Sequence, residues 1–157
     1  MIYVIDTSSL SVLKYYYKGV FSTFWGHFNL LAQSGNLISV REAYKEADEK
    51  IDSEHLQEWL ENNKSIFLPP ESPEETEFVR EIFSVPHFKA LIPDKKILTS
   101  NPLADPFIVA SAKIRNGCVI TEEKLKPNAA KIPNVCEHFG VKWTNLEGLM
   151  KEERWNY

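Results

Sequence analysis

At 157 residues the chain has the size of one domain with a full hydrophobic core. Its composition, 43% hydrophobic and 25% charged, is that of an ordinary globular protein, and no apolar run nears the ~20 residues of a membrane span. A net charge of −4 argues against a protein that holds nucleic acid by long-range attraction alone. The N-terminus lacks a basic stretch followed by a long apolar one, so a cytoplasmic location without membrane partners is expected. Cys118 and Cys136 have no Cys-x-x-Cys neighbour and fit reduced structural thiols rather than a zinc site.

The chain opens on Ile2-Tyr3-Val4-Ile5, an uninterrupted apolar run expected of a strand buried on both faces of a parallel sheet. Asp6 stands at its carboxyl end, the edge where open α/β sheets collect ligands, although an acid there also suits a helix cap. Helices follow over 9–17, broken at Gly19, and over 20–33, where Phe24, Trp25, Phe28, Leu30 and Leu31 read as core. A second strand over 37–40 leads into a helix over 41–50. Ser53 is placed to cap the next helix, with Leu56, Trp59 and Leu60 on one face. Ser72-Pro73 with Glu75 marks another helix start, running to about residue 84. The proline-punctuated stretch 86–102 resists assignment. A helix over 106–115, a strand over 118–121, a short helix over 132–139, a strand over 141–143 and a last helix from 145 complete the pattern. Alternating strands and helices imply a sheet covered on both faces.

Three further acidic segments reach toward the Asp6 edge. Glu42 and Glu46 share one helical face, so either can point back to it. Asp105, before Pro106, either caps its helix or faces an interior edge, because Phe107, Ile108, Val109, Ala110 and Ala112 make that helix a buried one. After the strand Cys118-Val119-Ile120-Thr121, Glu123 would face the Asp6 edge if the two strands are neighbours, and Glu122 would alternate away. Carboxylates gathered in one place repel by about 4 kcal/mol per pair at ~4 Å and an effective dielectric near 20. Such a group therefore protonates or binds cations, and all-oxygen ligation suits Mg²⁺ or Mn²⁺ acting on a phosphodiester. Lys113, Arg115, Lys124, Lys126 and Lys131 read either as solvated lysines and arginine or as a backbone-phosphate path beside the acids.

In order, the strand with Asp6-Thr7-Ser8, the Tyr44-Lys45-Glu46-Ala47 helix, Asp105-Pro106-Phe107-Ile108-Val109-Ala110, Val119-Ile120-Thr121-Glu122-Glu123 and the Ile132-Pro133-Asn134-Val135-Cys136 segment resemble the PIN-domain superfamily of metal-dependent ribonucleases. The likeness spans nearly the whole chain and extends to a PIN-like prokaryotic branch similar to VapC-type toxin ribonucleases. It implies a three-layer α/β/α fold with a central, mostly parallel sheet, in a single domain with a helical, proline-rich insertion at about 52–102. It also implies an acidic quartet of Asp6, Glu46, Asp105 and Glu123 as metal ligands for Mg²⁺ or Mn²⁺, with Ser8 and Thr121 as supporting hydroxyls. Glu46 is preferred to Glu42 because Tyr44 and Ala47 frame it as in the family. Glu123 stands where Asp is more usual. The implied activity is RNA hydrolysis by a toxin restrained by an antitoxin protein, with a homodimer as the common form; the alternative is a non-catalytic PIN-like module binding RNA or protein. An Asp-nucleophile phosphatase would need a second Asp at position 8, which is Ser8, and no glycine-rich loop follows the first strand to bind a dinucleotide.

Overall fold

The computed structural model describes residues 1–91 and 104–156. Among the described residues five strands form one sheet: β1 (Tyr3–Ile5), β2 (Leu37–Val40), β3 (Phe67–Leu68), β4 (Cys118–Ile120) and β5 (Lys142–Thr144). Their order is β3-β2-β1-β4-β5, and every pairing is parallel. Starting from β1, the chain builds outward to β2 and β3, then returns to lay β4 on the other side of β1. The boundary between β1 and β4 is therefore a topological switch point, where the crevice at the carboxyl ends of the strands opens.

The helices are α1 (Thr7–Val12), α2 (Ser22–Gln33), α3 (Arg41–Lys50), α4 (Glu54–Asn62), α5 (Pro73–Ser84), α6 (Asp105–Arg115), α7 (Ile132–Phe139) and α8 (Leu146–Glu152). Alternation along β1 divides the core in two. Tyr3 and Ile5 point into a cluster with Phe24, Phe28, Trp59 and Leu149, under α1, α2, α4 and α8. Val4 points the other way, into a cluster with Phe78, Ile108, Val109 and Val135, under α5, α6 and α7. This is the three-layer α/β/α, PIN-like arrangement.

Local chemistry explains most boundaries and corrects several expectations. Ser72 caps α5 by accepting from the Glu75 backbone N–H at 3.4 Å, with Pro73 at the first helical position. Ser53 flanks α4 but makes no side-chain cap; its hydroxyl meets His55 Nδ1 at 3.2 Å instead. The first helix is shorter than expected, tightening into a 3₁₀ turn over Leu13–Tyr15, and the second begins at Ser22. Leu30 is 62% exposed while Phe24, Trp25, Phe28 and Leu31 are buried. Strand β3 went unread, and of the unassigned proline-rich stretch Pro86–Leu91 is a 3₁₀ helix, whereas 92–103 lie outside the described residues. Both cysteines are buried and free, and burial pushes the Cys118 thiol up to about 11.

The helix α6 ends at Asn116 in the left-handed conformation (φ 51°), and Gly117 follows where a Cβ would stand 2.5 Å from the Ile2 carbonyl oxygen. The two residues let the chain turn tightly from α6 into β4 beside β1. At the same end Arg115 clamps α5 to α6. Its guanidinium donates to Glu75 at 2.8 Å, to Ser111 Oγ at 2.8 Å and to Glu71 at 3.0 Å. The Glu75 side chain is only 5% exposed, and the guanidinium is its ion-pair partner. Arg115→Met should destabilise the fold by about 3–5 kcal/mol in urea unfolding, because it strands a buried carboxylate. The double variant Arg115→Met/Glu75→Leu should recover most of that loss, and a double variant as unstable as the single would refute this account.

Candidate active site

At the switch point a cavity of about 300 Å³ opens over the carboxyl ends of β1 and β4. Asp6, Glu46, Asp105 and Glu123 all line it. Asp6 follows β1 directly and is 2% exposed. Its Oδ2 accepts from Ser8 Oγ at 2.7 Å and from Thr121 Oγ1 at 2.8 Å. Those hydroxyls in turn accept from backbone N–H groups of the segment after β4: Glu122 N to Ser8 Oγ at 3.0 Å, and Glu123 N to Thr121 Oγ1 at 3.1 Å. Each hydroxyl has one proton. With both protons directed at Asp6, the 3.2 Å approach of Ser8 Oγ to Thr121 Oγ1 is a contact between two acceptors held together by the shared carboxylate.

Glu46 lies on α3, with its Oε2 accepting from Thr7 Oγ1 at 3.1 Å. Glu42 does not line the cavity: it is buried beside Arg41, which donates to its Oε1 at 3.1 Å and 3.2 Å, and its Oε2 has no hydrogen-bond partner. Asp105 is the first residue of α6 rather than its cap; Ala104 holds the cap position, and no side-chain cap is made. Of the two alternatives the sequence leaves open for Asp105, the structure takes the interior edge: the helix starts at Asp105 itself, and this carboxylate lines the cavity.

The two adjacent glutamates diverge. Glu123 Oε2 accepts from the Ile132 backbone N–H at 2.9 Å, at the start of α7. Glu122 Oε1 accepts from the Leu146 N–H at 2.9 Å, at the start of α8. Each carboxylate thus meets the positive end of a helix, a favourable placement for negative charge.

The basic group divides. Arg115 and Lys113 sit at the far end of α6, roughly 15 Å along the axis from Asp105. Arg115 is held in its clamp, and Lys113 Nζ donates to the Phe139 carbonyl at 3.1 Å. Neither therefore lies on a phosphate path beside the acids, the second of the two readings their sequence allows. The cavity also takes Thr7, Ser11 and Lys50, which the sequence reading passed over. Their signal was spacing: Thr7 and Ser11 are one turn apart on α1, as are Glu46 and Lys50 on α3.

Oxygen donors alone suit Mg²⁺ or Mn²⁺, and four carboxylates at one cavity are a fitting donor set. As placed, no three His, Cys, Asp or Glu side chains among the described residues stand close enough to hold an ion together. Side-chain rotation would have to complete such a site. Burial is the dominant influence on Asp6 and raises its carboxyl above the ordinary value of 3.8; the bonds from Ser8 and Thr121 work against it, and the Glu123 charge adds to it.

The geometry defines a PIN-like α/β fold with an acidic cavity at the sheet switch point. The chain belongs to the family described as "Domain of unknown function (DUF4411)", which matches residues 3–157. Among solved structures it is similar to VapBC2 from Rickettsia felis bound to a DNA fragment from the promoter. That likeness has 17% identity and a TM-score of 0.50, covering 92% of this chain and 98% of the other. It is also similar to PAE2754 from Pyrobaculum aerophilum, at 12% identity and a TM-score of 0.40, covering 89% and 97%. No curated protein matches the chain by sequence. Among the described residues no helix is long and apolar enough to cross a membrane.

The raised Asp6 value has a signed consequence. A carboxyl that holds its proton more tightly when folded contributes stability fully present below its unfolded value, and that contribution is lost as pH rises through the folded one. At pH 7 with chelator, Asp6→Asn should therefore melt higher than wild type, the advantage shrinking as pH falls toward 4. Mn²⁺ should raise the wild-type melting temperature and leave that of the variant unmoved. A variant that melts lower at pH 7 would show that the hydroxyl bonds outweigh burial.

Proposed function

We propose that this chain is a divalent-metal-dependent endoribonuclease, the toxin of a toxin–antitoxin pair silenced by a cognate antitoxin. One observation carries the reading: Asp6, Glu46, Asp105 and Glu123, spread over 118 positions of sequence, line a single cavity. The PIN-like fold supports it, as does the resemblance of the ordered motifs to VapC-type toxins. A neighbour of the same fold is VapBC2, a complex captured on its promoter DNA, and this supports a partner protein here too.

In this reading Asp6, Glu46, Asp105 and Glu123 would hold Mg²⁺ or Mn²⁺, whose chemistry when bound would be to neutralise charge and to lower the pKa of a water. Ser8 and Thr121 fix the orientation of Asp6, and so the direction from which it offers its oxygens. Thr7 does the same for Glu46, and the α7 N-terminus for Glu123. Hydrolysis forms one P–O bond to the water oxygen and breaks another, leaving one RNA end with a phosphate and the other with a hydroxyl. A cavity carboxylate not engaged by the ion would take up the water's proton.

The second reading is a non-catalytic PIN-like module, favoured by the separation of the acids as placed. Incubating wild type and Asp105→Asn with a labelled structured RNA, in Mn²⁺ or in chelator, decides between them. The nuclease should cleave only with Mn²⁺, and Asp105→Asn should lose at least the roughly 10–100-fold that damage to a metal site's supporting residues costs. Clean wild-type protein that neither cleaves nor gains stability from Mn²⁺ would leave the non-catalytic module.

A further inference from the structure

We infer that Lys50 anchors a backbone phosphate of bound RNA at the mouth of the acidic cavity. The identity of the anion rests on the nuclease reading above; the availability of the lysine does not. Lys50 is the last residue of α3, four positions after Glu46. That spacing, with the acid on the N-terminal side, is the one that ordinarily forms an ion pair on a helix surface. Here Glu46 turns to Thr7 instead. Lys50 makes no hydrogen bond or ion pair among the described residues, yet it lines the cavity beside Asp6 and Ser11.

Its base is fixed although its tip is not. Ile51, the next residue, is 3% exposed in the core, and its N–H donates to the Ala47 carbonyl at 2.9 Å. The backbone of Lys50 therefore cannot drift, while four rotatable bonds let the exposed ammonium reach into the cavity or across its rim. A lysine retained to neutralise the acids would sit within ion-pair distance of one of them, which this one does not.

Charge accounts for why such a group is wanted. One divalent ion leaves two of four ionised carboxylates uncompensated, and a phosphodiester brings another negative charge to the same opening. Lys50 is the only basic side chain among the described residues lining the cavity, and Arg115 and Lys113 are engaged elsewhere. A flexible point charge suits a phosphate that needs attraction rather than a fixed bidentate geometry.

The test measures RNA binding separately from cleavage. In the Asp105→Asn background with Mn²⁺, a fluorescein-labelled single-stranded RNA is titrated and followed by anisotropy at several salt concentrations. Lys50→Ala should weaken binding about tenfold and reduce the salt slope by about 0.7, the loss of one phosphate contact on a single strand. Lys50→Arg should restore most of the affinity, and Lys113→Ala should change neither quantity. In the cleaving protein, Lys50→Ala should raise KM and leave kcat nearly unchanged, with an unaltered melting temperature. Equal affinity and slope in Lys50→Ala and its parent would overturn the inference, as would equal losses in Lys50→Ala and Lys113→Ala or no RNA binding by the parent. Lys50-dependent binding by a wild type that cleaves nothing in Mn²⁺ would uphold Lys50 and remove the nuclease reading.

Discussion

The site depends on one shared acceptor. Asp6 Oδ2 takes two hydroxyl protons, one from α1 and one from the end of β4, and so ties the strand that begins the sheet to the strand laid beside it much later. A carboxylate this buried is costly unless its hydrogen bonds are satisfied. Ser8 and Thr121 offset part of that cost, and the backbone N–H groups of Glu122 and Glu123 donate to the same two hydroxyl oxygens. The polar knot thereby orients Asp6 and also sets the course of the chain that carries Glu123.

The Glu122-Glu123 pair shows how neighbouring, chemically identical residues separate by direction. One reaches the N-terminus of α8 and the other that of α7, so the loop after β4 is pinned to both helix layers at once. The Glu123 side chain touches the Ile132 N–H and still lines the cavity. Helix and cavity share a single carboxylate there, so movement of α7 and movement of the acid are coupled.

Much of this was legible in the sequence because it was local. Strands β1 and β2 announced themselves as short apolar runs, Ser72-Pro73 as a helix start, and the small apolar face after Asp105 as a buried helix. The order of the acid-bearing motifs carried the fold class. What escaped was short or distant. Strand β3 is two residues, Phe67 and Leu68, crowded against Pro69-Pro70, and a pair of residues has no periodicity to read. Arg115 looked like part of a basic patch because its true partners, Glu71 and Glu75, lie 44 and 40 positions earlier. Glu75 was read as half of a capping box, yet tertiary contact with Arg115 took its side chain. Lys50 escaped notice, since nothing in a helical pattern distinguishes a solvated face from the rim of a cavity.

The strand order has a bearing on when this protein can act during its own synthesis. The hydroxyl that completes the setting of Asp6 is 115 positions further along the chain, and β4 cannot join β1 before it has been made. Contacts so remote in sequence form late, after the loop between them has been closed. Until then the nascent chain carries its acids unassembled. The cavity is therefore complete only once β4 and the segment after it have joined β1, a requirement that follows from topology alone.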